Sequence, residues 1–249
     1  MLKEERHRTI LNEVSLHNRV LLTDIANKLA VSIDTVRRDV KELDAKNRLR
    51  KVHGGAISLG FSDFNPSRNN IYALEQKTDI AKKAITLLKE DSAILIDGGT
   101  TCLELARLIP VAFRITCFTL SLPVAFELLH KPNVETIFIG GNLSKAAQIA
   151  MGPHTINKLS EIKVDYAFIG TGYVDATYGL TEFDWDIVQT KKAVIKASKK
   201  AILLSISEKL NSQHRYKTCG ITEIDTMVTE LDPQHALLAA FRNQNLKLM

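Results

Sequence analysis

Apolar residues recur at helical spacing three times within the first 45 positions of this 249-residue chain. Ile10, Leu11 and Val14 predict a helix over Arg6 to Leu16, and Ile25, Ala26 and Leu29 predict a second with Thr23 as its N-cap. Ala30-Val31 reads as a tight connection. Ser32 then stands where a hydroxyl accepts from the open amides of a first turn, and Ile33, Val36, Val40 and Leu43 give a third helix its buried stripe. Beyond it, Arg48-Leu49-Arg50-Lys51-Val52-His53-Gly54-Gly55-Ala56 alternates basic and apolar residues and ends on glycines. That predicts a two-stranded wing with its turn near Lys46-Asn47. Two helices, a short turn and a third helix, followed by a wing, make a winged helix-turn-helix.

Between Ser58 and Asn70 aliphatic residues thin out, and Gly60, Pro66, serines and asparagines gather. The composition is that of a linker, placed at 58–71, with one domain over 1–57 and another over 72–249.

From Tyr72 the helical pattern returns through Glu75, Ile80, Ala84 and Leu87-Leu88, and short apolar runs then alternate with helical stretches. Strands are predicted at 93–96, 115–118, 136–139, 166–169, 201–204 and 227–228, and helices at 103–108, 124–129 and 187–197. Such alternation builds an α/β domain: a mostly parallel, Rossmann-like sheet covered by helices on both faces. Ligands of these sheets sit beyond the carboxyl ends of the strands.

Those ends carry the candidate chemistry. Asp97-Gly98-Gly99-Thr100-Thr101 leads from the first strand straight into a helix, so backbone amides, two hydroxyls and a helix amino end converge. The arrangement suits a phosphate group, although an ordinary strand-to-helix turn capped by threonine would read the same way. No Gly-Lys-Ser/Thr follows, which excludes a Walker loop. Thr119-Leu120-Ser121, Gly140-Gly141 and Gly170-Thr171-Gly172 follow later strands. The last leads into the turn Asp175–Gly179 rather than a helix, so nicotinamide binding is set aside.

Charge sharpens the N-terminal reading. Residues 1–57 hold twelve Lys and Arg against eight Asp and Glu, a net +4 of the chain's +5. The exposed stripe of the third helix contains Ser32, Thr35, Arg37, Arg38 and Lys41, and the wing adds Arg50, Lys51 and His53. Hydroxyls at the start of a helix and guanidinium groups a turn later are what a recognition helix presents to base edges and phosphates of double-stranded DNA. Three scattered cysteines and seven scattered histidines form no ligand spacing, so neither metal nor cofactor is expected. The start lacks an apolar signal region, and no run approaches the roughly 18 apolar residues of a membrane span. A cytoplasmic protein is expected.

Val31-Ser32-Ile33-Asp34-Thr35-Val36-Arg37-Arg38-Asp39-Val40, Leu43 and Val52-His53-Gly54-Gly55-Ala56 together resemble the DeoR family of bacterial regulators. Residues 75–229 resemble the family's effector domain, itself similar to ribose-phosphate isomerases, through Asp97–Thr101, Gly140-Gly141, Asp165, Gly170, Gly179-Leu180-Thr181 and Lys191. The resemblance implies a repressor of a sugar or carbohydrate operon. It further implies binding to operator DNA as a homo-oligomer, dimer or tetramer, under control of a phosphorylated sugar. Asp97, Gly98, Gly99, Thr100, Thr101, Thr119, Ser121, Gly140, Gly141, Gly170, Lys191 and Lys209 are the implied effector residues.

Three positions depart from the family pattern. Leu120 stands for an asparagine, Ile187 for an acid and Ile206 for an aspartate. Each loses a hydrogen-bonding group, worth about 1–3 kcal/mol when its partner is left buried and unpaired. A constitutive DNA-binding protein with a purely oligomerising α/β domain is one alternative. A sugar-phosphate isomerase is another, weakened because proton abstraction needs a positioned base and only Asp97 and Asp186 remain as candidate carboxylates.

Overall fold

A computed structural model describes residues 1–59 and 71–249, in two compact units spanning Met1–Tyr72 and Ala73–Met249. Residues 60–70, which hold most of the expected linker, lie outside the described residues.

In the first unit, α1 (Lys3–His17), α2 (Leu22–Leu29) and α3 (Ile33–Ala45) surround a core of Ile10, Val14, Ile25, Leu29, Val36, Val40 and Leu43. Ser32 caps α3, its Oγ accepting from the Thr35 amide at 3.2 Å, an interaction worth about 1 kcal/mol. Thr23, by contrast, caps nothing. The second helix starts at Leu22, two residues before a Thr23 cap would place it, directly from strand β1 (Arg19–Leu21), and its N-cap Leu21 has no side-chain acceptor. Ile33 does not join the buried stripe and is 37% exposed, because the first turn projects past the core.

β2 (Arg50–Val52) and β3 (Gly55–Ile57) form the wing, and β1 pairs with β3 as a third strand, in the order β1-β3-β2. The wing turns at His53-Gly54, with Gly54 at φ +69°, rather than near Lys46-Asn47; Asn47, at φ +51°, instead follows the end of α3. Gly55 has a packing reason: a Cβ there would lie 2.3 Å from the Val20 carbonyl oxygen.

The second unit begins with α4 (Leu74–Ile85) and is built on a seven-stranded parallel sheet. Its strands are β4 (Ala93–Ile96), β5 (Ile115–Thr119), β6 (Val134–Phe138), β9 (Val164–Ile169), β12 (Ser198–Leu204), β14 (Thr226–Val228) and β15 (Lys247–Leu248). They lie in the order β15-β14-β12-β9-β4-β5-β6. The near-continuous runs Ile94-Leu95-Ile96, Ala167-Phe168-Ile169 and Ala201–Leu204 are buried, as central parallel strands must be. Helices α5 (Thr100–Leu108), α6 (Leu122–Leu128), α7 (Pro153–Ser160) and α8 (Trp185–Lys196) connect the strands, and the short α9 (Ala239–Arg242) precedes β15.

Short elements add to this frame. β7 (Asn142–Ser144) and β8 (Ile149–Met151) make a hairpin, and β10 (Tyr173–Asp175), β11 (Gly179–Glu182) and β13 (Tyr216–Cys219) make a small antiparallel sheet. The chain leaves β4 toward β5 and β6 on one side, then returns to place β9 on the other. The strand order therefore reverses at β4, and the crevice between the carboxyl ends of β4 and β9 is where such a sheet takes a ligand.

Candidate functional site

The reading face of the first unit rests on a fixed third helix. Asp39 on its inner side is buried to 3% and accepts from Arg6 at 2.8 and 3.1 Å, with the His7 ring at 3.2 Å, so α1 clamps α3. Burial works against the Asp39 charge, but Arg6 and His7 outweigh it and hold the carboxyl below its ordinary range. On the outer side Ser32, Arg37, Arg38 and Lys41 are exposed and Thr35 is half-buried, its hydroxyl 2.9 Å from that of Ser32. Arg37 pairs with Asp34, and Arg38 Nε donates to the Asp34 carbonyl at 3.3 Å. In the wing Arg50, Lys51 and His53 are all exposed.

In the second unit the switch point collects the strand-end residues. Asp97 extends β4, its amide donating to the Phe168 carbonyl at 2.9 Å. Gly99 adopts φ +107°, a conformation that favours glycine, and turns the chain so that α5 opens on Thr100 and Thr101. Beside it, Thr119 Oγ1 donates to the Ile96 carbonyl at 2.7 Å and accepts from the Ser121 amide at 3.1 Å. Gly98 is pressed from above by the β7–β8 hairpin; a Cβ there would meet Ile149 at 2.5 Å.

Lys191 enters from α8 and joins both sides of the crevice. Its Nζ donates to the Gly170 carbonyl at 2.5 Å, pairs with Glu182 at 2.9 Å and lies 3.6 Å from Asp97. Burial disfavours its charge, yet Glu182 and Asp97 together outweigh burial and keep its pKa above the ordinary lysine value. Burial dominates at Asp97 itself and raises its pKa, with Lys191 opposing. Lys209 donates to the Thr171 carbonyl at 2.8 Å, and burial pushes its pKa down to about 8 despite Glu182. Both lysines are buried, Lys191 8% and Lys209 9% exposed. Lys77 of α4, 2% exposed, is a further buried amine, pushed down to about 7 by burial and then by Lys209.

Asp97, Gly98, Thr119, Ser121, Gly170, Lys191 and Lys209 are thus joined by direct contacts or through the chain segments beside them. Gly140-Gly141 is at the end of β6, and its packing has another cause: a Cβ on Gly141 would lie 2.0 Å from Thr155 Oγ1, which donates to the Gly140 carbonyl at 3.0 Å. Glu182 was not among the expected residues, yet it holds both Lys191 and the Gly172 amide, the latter at 2.9 Å. Its signal in the sequence is an acid placed directly after Gly179-Leu180-Thr181. Leu120 and Ile206 are fully buried, and Ile187 packs half-buried against the core. Cys102 is buried and its thiol is pushed far up by burial, which suits a packed residue and not a thiolate.

A helix that presents Arg37, Arg38 and Lys41 to solvent in one unit, and a crevice that buries two lysines in the other, fit the class of transcription regulators that pair a DNA reader with a sensor. Residues 6–60 match the DeoR-like helix-turn-helix domain and residues 73–231 match the DeoR C terminal sensor domain. The chain belongs to the DeoR family of transcriptional regulators. It is 30% identical to an uncharacterized HTH-type transcriptional regulator of Haemophilus influenzae, over 100% of this chain and 97% of that one. It is also 30% identical to the transcriptional repressor GlcR of Bacillus subtilis, over 100% of this chain and 96% of that one. Identity to the glycerol-3-phosphate regulon repressor of Escherichia coli is 27%, over 100% of this chain and 99% of that one. Among solved structures, ribose 5-phosphate isomerase A of Methanocaldococcus jannaschii aligns with a TM-score of 0.41 at 18% identity, over 58% of this chain and 55% of that one. The curated relatives are regulators, and this chain is a regulator rather than an enzyme. No helix among the described residues is long and apolar enough to cross a membrane.

Proposed function

We propose that this protein is a cytoplasmic repressor of a carbohydrate operon whose operator affinity is set by a phosphorylated sugar bound at the crevice between β4 and β9. The observation that carries the reading is Lys191, a buried cation held by Glu182 and Asp97 beside a glycine turn that opens a helix. In this reading the open amides of Gly99–Thr101 and the Thr100 and Thr101 hydroxyls receive the phosphate, and Lys191 and Lys209 balance its charge. Asp97 Oδ2 is buried, 3.6 Å from Lys191 Nζ and beyond hydrogen-bond reach of it, so it offers an acceptor to a ligand hydroxyl. The names of two relatives, the glycerol-3-phosphate regulon repressor and GlcR, support a sugar-phosphate theme.

On the DNA side, Ser32, Thr35, Arg37, Arg38 and Lys41 read the major groove while Arg50, Lys51 and His53 follow the phosphate backbone. The chain acts as a homo-oligomer, because two half-sites require two readers. Ligand binding favours one arrangement of the sensor units, and that arrangement changes operator affinity through a coupling free energy.

Thermal-shift screening of the protein against phosphorylated and unphosphorylated sugars tests this reading, since a ligand of the folded state raises the melting temperature. The expected result is stabilisation by phosphorylated sugars that Thr100→Ala abolishes. Silence across the panel, or a shift that survives Thr100→Ala, would remove the crevice as the sensor.

A further inference from the structure

Lys77, in the first turn of α4, is buried as deeply as the two lysines of the crevice, and nothing above gives it a task. Lysine is seldom buried without a counter-charge, so its surroundings decide what it is for.

The course of α4 sets that turn on the ligand side of the sheet. Lys83, further along the same helix, donates to the Thr229 and Leu231 carbonyls at 2.8 and 2.7 Å, immediately past the carboxyl end of β14. α4 then runs on to enter β4 from its amino end, so its first turn stands toward the carboxyl ends of the strands, where such sheets take ligands. Three charged side chains act on Lys77 there: Lys209 and Glu208, in the turn that follows β12, and Glu104 of α5. Glu104 is fully buried and already accepts from Arg107 at 2.5 Å, while Glu208 is exposed. Glu230, past β14, is taken by the Ser207 amide at 3.1 Å.

The crevice therefore holds two kinds of amine. Lys191 has Glu182 and Asp97 against it and keeps its charge. Lys77 and Lys209 repel one another's charge in a buried setting, and their pKa values fall to about 7 and about 8.

We propose that Lys77 is a further binding residue of the effector crevice and that it shares with Lys209 one dianionic group of the ligand. The inference rests on the effector reading above and adds to it a residue and a charge. A phosphate dianion between two amines supplies the counter-charge that burial withholds, whereas a monoanion balances only one of them. Each amine then holds its proton, taken from solvent, so binding draws protons into the crevice.

Isothermal titration calorimetry of the full-length protein with inorganic phosphate, in two buffers of different protonation heat at a pH of about 8.5, counts those protons. Phosphate is largely a dianion there and both amines are mostly discharged, so the uptake belongs to the protein. The parent should take up about 1.5 protons per phosphate. Lys77→Met should take up about one fewer and raise the Kd for phosphate about tenfold or more, as loss of a charged hydrogen-bond donor does. Lys77→Arg, whose charge does not titrate, should bind phosphate and also take up about one proton fewer. Melting curves without phosphate report whether each variant folds. Should Lys77→Met not fold, the parent decides, and an uptake below about half a proton overturns the proposal. A proton count unchanged in Lys77→Met, with a Kd within about twofold of the parent, also overturns it. If Thr100→Ala abolishes phosphate binding in that case, the effector reading stands without Lys77; a parent that binds no phosphate ends both.

Discussion

Arg37, Arg38, Lys41, Arg50 and Lys51 stand in solvent on the N-terminal unit, whereas Lys191 and Lys209 lie inside the α/β unit at 8% and 9% exposure. The contrast fits the partner proposed for each set. A DNA duplex is a large polyanion that stays hydrated, so cations meeting it keep their own water until contact and contribute through counterion release. A small phosphate must be taken out of water entirely, and only a preformed, buried set of cations and amides can replace its hydration. Burying Lys191 in turn requires Glu182 and Asp97, because an unpaired interior charge is costly. Among the described residues of the first unit the buried carboxylate is Asp39, held in the Arg6 clamp, whereas the second unit buries Lys77, Asp97, Glu104, Glu182, Lys191 and Lys209.

Breaking the buried set should have the largest effect. Lys191→Met leaves Glu182 and Asp97 without their cation and is expected to destabilise the second unit by about 3–5 kcal/mol, read as a lower denaturant midpoint. Removing an exposed cation should do the opposite: Arg38→Ala should leave the melting temperature unchanged and weaken operator binding by about 1–3 kcal/mol, measured by fluorescence anisotropy at low salt. If Arg38→Ala destabilised the fold instead, the contrast between the units would be lost.

Salt separates the units further. Lys51→Ala should lower the slope of log K for DNA against log salt by about 1, if Lys51 meets one phosphate. Phosphate binding in the crevice should depend on salt less steeply, since buried charges are screened less.

The smallest expected effect is on pH. The pKa of Lys209 is depressed from 10.5 to about 8 by burial. Between these values the unfolded chain holds a proton that the folded one has lost, so stability should rise with pH across that window. Affinity for inorganic phosphate should fall as pH rises through about 8, where the folded amine proposed to meet it is discharged. Glu182, Lys191 and Cys102 face Lys209, and Lys77 is coupled to it, so the comparison is made against Lys209→Met, which should flatten both trends.

The first unit was the more legible in sequence for the same reason that its cations are exposed. Val36, Val40 and Leu43 alternate with polar residues, so helical spacing and the Ser32 cap stand out. β1 escaped notice because its three residues run into α2 without a turn, and the wing turn was misplaced because Gly54 and Gly55 read as an ending. In the second unit the longer strands were visible as apolar runs, but β7, β8, β10, β11 and β13 have three or four residues each, too few to show a period. Glu182 was hidden because β11 is buried on both faces, where no alternation marks which polar residue points inward. The strand-end glycines and threonines were legible as turn chemistry; that Lys191 joins them across the β4–β9 crevice depends on the strand order.

The central claim is that occupancy of the crevice changes how the head grips DNA. Its most direct test is anisotropy titration of a duplex selected by the protein from random sequences, with and without the stabilising sugar phosphate, in the parent protein and in Thr100→Ala. The account predicts that the ligand shifts DNA affinity in the parent and not in the variant, with equal affinities when ligand is absent. A ligand that stabilises the protein yet leaves DNA affinity the same in both would contradict it.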